Sequence, residues 1–272
     1  MGTTAQKLNK ILETKEAIRT AINNKGGTLT TTDTFASYPS AIDSLPSGGG
    51  GSLKTLLDAT KSCYYLFYEY RGLSVNELIS FSDTSEVTKM GYMFNNCVSI
   101  TTIPQLDTSK ATDMFSMFRG CYALTNIPQL DTSNVTKMNY MFYDCYVLTN
   151  IPQLDTSNVV SMGYMFYDCY HLTTIDITHM NITQSYNISS FASNCYSLTK
   201  LIIRNMTTIP SINTNSFNNC YHFKGIVDTE YNPQGLKDGR IYVPDDKVDE
   251  LKTATNWSVY ADIIVPLSTL VE

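Results

Sequence analysis

Between residues 83 and 154 a 24-residue pattern of apolar and polar positions is written three times with few changes. In the copy at 131–154, DTSNVTKMNYMFYDCYVLTNIPQL, the apolar positions are Val135, Met138, Met141, Phe142, Cys145, Leu148, Ile151 and Leu154. From Val135 to Cys145 they step by three, three, one and three, which predicts one face of a short helix laid on a core. Leu148 and Ile151 then read as the inward positions of a brief strand, with Thr149 and Asn150 facing water. Pro152 should close that strand, because proline cannot donate a ladder hydrogen bond. Asp131, Thr132 and Ser133 supply the side-chain oxygens that cap turns and helix starts.

The same frame fits Ala111, Met114, Met117, Phe118, Cys121, Leu124, Ile127 and Leu130, and again residues 87–106. Later copies drift, keeping Ile188, Phe191, Leu198 and Leu201 around Cys195, and Phe217, Phe223 and Ile226 around Cys220. Cys63 opens the array with Leu66 in frame and a gap of 34 residues to Cys97, which reads as an amino-terminal capping coil. A fixed period of this length predicts an α/β solenoid of about seven coils, each a short strand plus a short helix that buries its apolar side only by stacking on its neighbours.

The run NVTKMNYMFYDCYVLTNI resembles the BspA-like leucine-rich repeats of bacterial surface proteins, in the variant with a Met-Phe-x-x-Cys helix and a Leu-Thr strand. The resemblance covers residues 53–228. The stretch IYVPDDKVDELKTATNWSVYADIIVPL, within residues 229–272, resembles the segment that closes such arrays. There Asp245 is placed to cap a helix running to about Ala254, and Trp257 with Tyr260 to cover the last coil's open edge.

Ahead of the array, residues 3–24 read as a helix with Leu8, Ile11, Ile18 and Ile22 on one stripe, interrupted by Lys15 and ended by Gly26 and Gly27. So short a heptad seam suggests an oligomer or a docking face, against the alternative of an amphipathic helix folded back on its own chain. A second apolar pattern, Phe35, Tyr38, Ile42 and Leu45, completes a segment at 1–45, and PSGGGGS at 46–52 is a flexible linker. The stretch KLNKILETKEAIRTAINNKGGTLTTTDTFASYPSAI resembles amino-terminal segments of tail and fibre proteins of tailed bacteriophages. That resemblance implies a virion component, in a tail or head fibre or at the baseplate, made in the host cytoplasm and acting outside the cell. Its helix would join other virion proteins in a homo-oligomer, a trimer by preference, and its repeats would meet a host-surface glycan or protein. The start MGTTAQKLNK, which lacks the apolar run of a secretory signal, agrees with that route.

Composition acts mainly by exclusion. A net charge of -6 with no basic run argues against nucleic acid and anionic membrane surfaces, and no apolar segment is long enough to span a bilayer. Six of the seven cysteines recur at 24 to 26 residue intervals without any Cys-x-x-Cys pair, so they read as reduced, buried small hydrophobes, with no metal or cofactor implied.

Candidate chemistry lies in columns. Six cysteines are followed by tyrosine, at Tyr64, Tyr122, Tyr146, Tyr170, Tyr196 and Tyr221, with Val98 the exception. The resembled family often carries serine there, so this column is a departure. Tyr92, Tyr140, Tyr164, Tyr143 and Tyr167 thicken it. Two readings stand side by side: rings that pack along their own ladder, or an aromatic platform for sugar rings or a protein surface, with Tyr122, Tyr146, Tyr170, Tyr196, Tyr221, Tyr143 and Tyr167 as ligand-binding candidates. Asp83, Asp107, Asp131 and Asp155 form a column of turn caps, with a calcium ladder as the alternative. Thr101, Thr125, Thr149 and Thr173 mark a polar sheet side. Catalysis has no support: His171, His179 and His222 fall at unrelated repeat positions, and no Gly-x-Ser-x-Gly or His-Glu-x-x-His occurs. The expectation is a non-enzymatic virion attachment protein, with a bacterial or protist surface adhesin or interaction module as the alternative.

Overall fold

Successive repeats lie side by side as parallel turns of chain in the computed structural model, which describes Thr20 and residues 62–63, 66–67, 84–180, 188–226 and 228–271. Parallel bridges run from Ser62 to Lys89, then to Asp113, Lys137 and Ser161, one step per repeat. The Cys63 repeat therefore stacks directly on the Cys97 repeat, and Cys63 N–H donates to the Lys89 carbonyl. The stripe of Leu8, Ile11, Ile18 and Ile22, the second apolar pattern and the linker at 46–52 lie outside the described residues.

The short helix expected in each repeat is not there. Residues 91–96 and their counterparts are a run of turns, and the described helices are α1, Tyr221–Lys224, and α2, Val248–Thr253. The cause is a pair of left-handed positions per repeat. Tyr92, Ser116, Tyr140, Tyr164 and Ser190 have positive φ, as do Asn96, Gly120, Asp144, Asp168, Asn194 and Asn219. An α-helix cannot pass through such residues. Instead, the amides alternate. Tyr92, Phe94 and Asn96 donate to Phe115, Met117 and Arg119 of the next repeat, while Met93, Asn95 and Cys97 fold back three residues to Met90, Tyr92 and Phe94. The six amides from Tyr92 to Cys97 are thus satisfied, half of them by the neighbour.

On the opposite side the chain is extended. Thr125, Thr149, Thr173 and Thr199 each donate their N–H to the carbonyl of the matching threonine one repeat earlier. From the fifth repeat this ladder becomes a four-stranded parallel sheet, β1 Thr174–His179, β2 Lys200–Asn205, β3 Arg240–Val243 and β4 Ile264–Pro266, in that order. The architecture is an α/β repeat with a parallel sheet and few helices. β3 and β4 come from the carboxyl-terminal segment, so the array is closed by more of the same sheet.

The core fills the space between the turn side and the strand side. Val135, Met138, Met141, Phe142, Cys145, Leu148 and Leu154 are fully buried and Ile151 is partly so, as the frame predicts. Phe67, Phe94, Phe118, Phe142 and Phe166 stack at 5.4–5.6 Å, within 11° of parallel. All seven cysteines are free and buried. Cys97, Cys121, Cys145, Cys169, Cys195 and Cys220 each donate a thiol hydrogen bond to a carbonyl of the preceding repeat, at 3.0–3.2 Å.

At the carboxyl end Trp257 is fully buried, its Nε1 donates to the Pro210 carbonyl at 2.8 Å, and its ring lies 5.9 Å from Phe217. Tyr260 meets Phe217 edge-on at 5.6 Å. The expected capping by Asp245 is corrected. A 3-10 turn at Asp245–Lys247 precedes α2, no side chain caps either, and Asp245 Oδ1 accepts from Ser268 N–H. The carboxylate ties the last turn of chain to the helix entry.

Candidate functional site

The residue after each cysteine leaves the core just past a left-handed turn, so its side chain emerges on one flank of the stack. Tyr122, Tyr146, Tyr170, Tyr196 and Tyr221 form a continuous file there, with ring centroids 4.7–4.9 Å apart and planes within 8° of parallel. Tyr64 lies outside the described residues. Two residues before the cysteine a second file holds Tyr143 and Tyr167, stacked at 4.9 Å. A third file runs Tyr92, Phe115, Tyr140 and Tyr164. The second and third files meet at tilts of 47–48°. Both structural and recognition roles survive this geometry, with one change. Each ring face inside a file is covered by the next ring, so the files offer ring edges and hydroxyls in place of open platforms. Tyr122, at the end of its file, is 40% exposed.

The file ends are dressed differently. Arg119 holds its guanidinium 4.7 Å from the Tyr143 ring centre and 5.6 Å from that of Tyr140. At the other end Tyr231 leans on Tyr196 at 4.9 Å and Tyr221 at 6.5 Å, and its far side meets His171.

A column missed in the sequence runs with the first two files. It is the second left-handed position, Asn96, Gly120, Asp144, Asp168, Asn194 and Asn219. Asn219 Nδ2 donates to Asn194 Oδ1 at 2.8 Å, and Asn194 Nδ2 to Asp168 Oδ1 at 2.6 Å. At Gly120 the Asn96 amide tip occupies the space a Cβ would need. Asn, Gly or Asp before six of the seven cysteines, with Ser62 the exception, was the available signal, since these residues tolerate positive φ.

The electrostatics are those of a half-buried acidic strip. Burial, and then the Asp168 carboxylate, push Asp144 up to about 6, with Arg119 and a hydrogen bond from Tyr146 pulling the other way. Burial also raises the phenols. Tyr143 and Tyr146 reach about 12, with Asp144 the next cause for both, and Tyr170, Tyr196 and Tyr221 rise too. Every one of these hydroxyls is a donor at neutral pH.

The other columns serve the backbone. Asp107, Asp131 and Asp155 each accept from the N–H and hydroxyl of the serine two residues on, at 2.6–3.0 Å. Those bonds hold Asp155 below the usual carboxylate range. Thr125, Thr173 and Thr199 turn their hydroxyls to the same neighbouring carbonyls that their amides use. Among the described residues no group of three or more His, Cys, Asp or Glu is placed to hold a metal ion, and no helix is long and apolar enough to cross a membrane.

Residues 61–150 and 123–229 match a family model described as Mycoplasma protein of unknown function, DUF285. Together these matches span more than half of the chain, and the chain belongs to that family. They fall on the repeats, whose resemblance to BspA-like arrays they support, and begin after the amino-terminal segment. No curated protein matches the chain.

Proposed function

We propose that the chain is a non-enzymatic attachment module: a leucine-rich-repeat solenoid of about seven coils whose tyrosine flank binds a surface ligand, carried on residues 1–45 as an anchor. The observation that carries this reading is the file of five stacked tyrosines with the Tyr143–Tyr167 file beside it. The core is filled by the phenylalanine stack with methionine, cysteine and leucine, and the tyrosine files lie outside it. Hydroxyl donors repeating at about 4.8 Å beside the Asp144 and Asp168 carboxylates suit an extended partner with evenly spaced polar groups, a glycan or a polypeptide strand. A virion is the assembly that the amino-terminal resemblance suggests, with copies joined through Leu8, Ile11, Ile18 and Ile22 gaining avidity. A second reading is a bacterial or protist cell-surface adhesin or interaction module, in which the same flank serves.

The test is binding of the full chain to host cells and to arrayed glycans, for the parent and for Tyr122→Ser with Tyr146→Ser and Tyr170→Ser. Lost binding with native mass and folding retained is the expected result. A triple variant that folds and binds like the parent would reduce the file to a structural role. Detection of the chain in purified virions, or on the surface of a bacterial cell, separates the two settings.

A further inference from the structure

His222 stands where both of its ring nitrogens meet acceptors. Nδ1 lies 2.7 Å from Asp238 Oδ1, and Nε2 lies 3.0 Å from the Tyr231 carbonyl oxygen. A carbonyl oxygen and an ionised carboxylate can only accept. Neutral imidazole has a single N–H, so either tautomer would turn a nitrogen lone pair toward an oxygen at one of these contacts. Imidazolium alone satisfies both.

What His222 holds is a strap across the end of the tyrosine file. Residues 228–238 form a loop closed on itself, with Asp228 and Asn232 exchanging backbone hydrogen bonds and Asp228 Oδ1 accepting from Glu230 and Tyr231. Its ties to the stack are few. Asn232 Nδ2 reaches the Tyr221 carbonyl at 3.4 Å, Gly239 N–H donates to the His222 carbonyl, and His222 grips the loop at both Tyr231 and Asp238. The other contacts are the Tyr231 ring on Tyr196, Tyr221 and His171 and, at the far end of the strap, the Lys237–Asp262 ion pair at 2.7 Å. Asp238 is the charged group on His222. Asp228 and Glu230 belong to the strap, Lys224 bonds Asn218, Lys237 pairs with Asp262 and Arg240 donates to the Lys237 and Gly239 carbonyls, so among the described residues the cation paired with Asp238 is His222.

We propose that His222 is the proton-operated latch of this strap: protonated, it fastens Tyr231 over the Tyr196–Tyr221 end of the tyrosine file, and on deprotonation the strap lifts and uncovers that end. The consequence for binding rests on reading the flank as the ligand face, whereas the latch itself can be measured with no ligand. Losing a charge-assisted bond and gaining a lone-pair clash should raise the open fraction about tenfold or more.

The experiment is amide exchange of the full chain from about pH 5.5 to about pH 8.5. It is read as protection factors corrected for intrinsic exchange over residues 228–238. Protection should fall about tenfold across the range in the strap, while the repeats at 84–170 stay protected. His222→Gln should give low strap protection at every pH, and the permanently charged His222→Lys should abolish the pH response. A parent strap equally protected at both ends of the range would overturn the latch, as would a pH response that persists in His222→Gln. A strap that responds as expected on a chain with no ligand binding would count against the flank and leave the latch standing.

Discussion

Replacing Asp144 with asparagine should stabilise the protein above neutral pH and do far less in acid. Asp144 sits half-buried between the tyrosine files, one repeat from Asp168, and its carboxyl is raised from 3.8 to about 6. A raised carboxyl binds its proton more tightly folded than unfolded. Its contribution to stability is therefore fully present below about pH 4 and is lost as pH rises through about 6. The shift of about two units corresponds to a ceiling of about 3 kcal/mol, which partial exposure cuts to about 1–2 kcal/mol. Asparagine removes the titration and keeps the backbone, because it tolerates the φ of 62° found at Asp144 at least as well. It also continues the amide ladder already made by Asn219 and Asn194. The assay is thermal unfolding of parent and Asp144→Asn at about pH 4 and about pH 8. A domain of this size gains about 2–4 °C per kcal/mol, so the gain at the higher pH should exceed that at the lower by about 2–8 °C. A gain independent of pH would assign the whole effect to the left-handed backbone, and a less stable variant at the higher pH would refute the electrostatic reasoning.

Thr108 and Thr132 occupy the same repeat position, but Thr108 Oγ1 donates to the Asp131 carbonyl at 2.8 Å, whereas Thr132 Oγ1 is buried with no partner among the described residues. Thr132→Val should be neutral or stabilising and Thr108→Val destabilising by about 1 kcal/mol in denaturant melts, and equal losses would contradict the bonding pattern. Phe142→Ala opens a hole in the phenylalanine stack and should cost about 3–5 kcal/mol by the same assay, so a loss under about 1 kcal/mol would mean that the stack does not carry the core. Burial raises the thiols, Cys220 to about 12, so the folded chain should resist alkylation at neutral pH while all seven cysteines label once it is denatured without reductant. Labelling of four or fewer would reveal bridges.

The apolar frame was legible because burial depends on little beyond register, and Met138, Met141, Phe142, Cys145 and Leu148 went where their spacing pointed. The helix was misread from the same spacing. Steps of three suit a helical face, but they suit equally a run of turns whose amides fold back three residues, as Met141 N–H does to Met138. The discriminating information sat in the polar residues between, where Asn96, Gly120, Asp144 and Asp168 mark a position that only a left-handed turn uses well. Tyr140 and Tyr164 also have positive φ, and nothing in a tyrosine announces that. Their rings stack at 5.1 Å, a contact that can offset the backbone cost and that a single repeat does not contain. The tyrosine file was visible as a column, but the closure of its faces depends on the spacing between repeats. The strap at 228–238 has no periodic signature at all, since it belongs to the end of the array and not to its grammar.

In a repeat protein most polar side chains are committed to making one copy fit the next, and this chain shows how far that goes. Gln105 and Gln129 donate to the carbonyls of Gln129 and Gln153, Asn134 and Asn158 to those of Ser109 and Ser133, and the Asp131 class to its own serine. Such columns satisfy donors and acceptors within the stack and leave little free chemistry for a partner. Recognition is then best sought where the columns break their own rule. Two aspartates replace asparagine in the left-handed column, where Asp168 raises the cost of charging Asp144, an arginine stands one repeat before Tyr143 at the second-file position, and valine replaces tyrosine at position 98, where the first file stops. All three breaks fall on the tyrosine flank, within the repeats from 95 to 168. Asp144 in particular carries a stability cost that asparagine would remove, and a carboxyl perturbed in this way on a half-exposed face is where a test for ligand binding should begin.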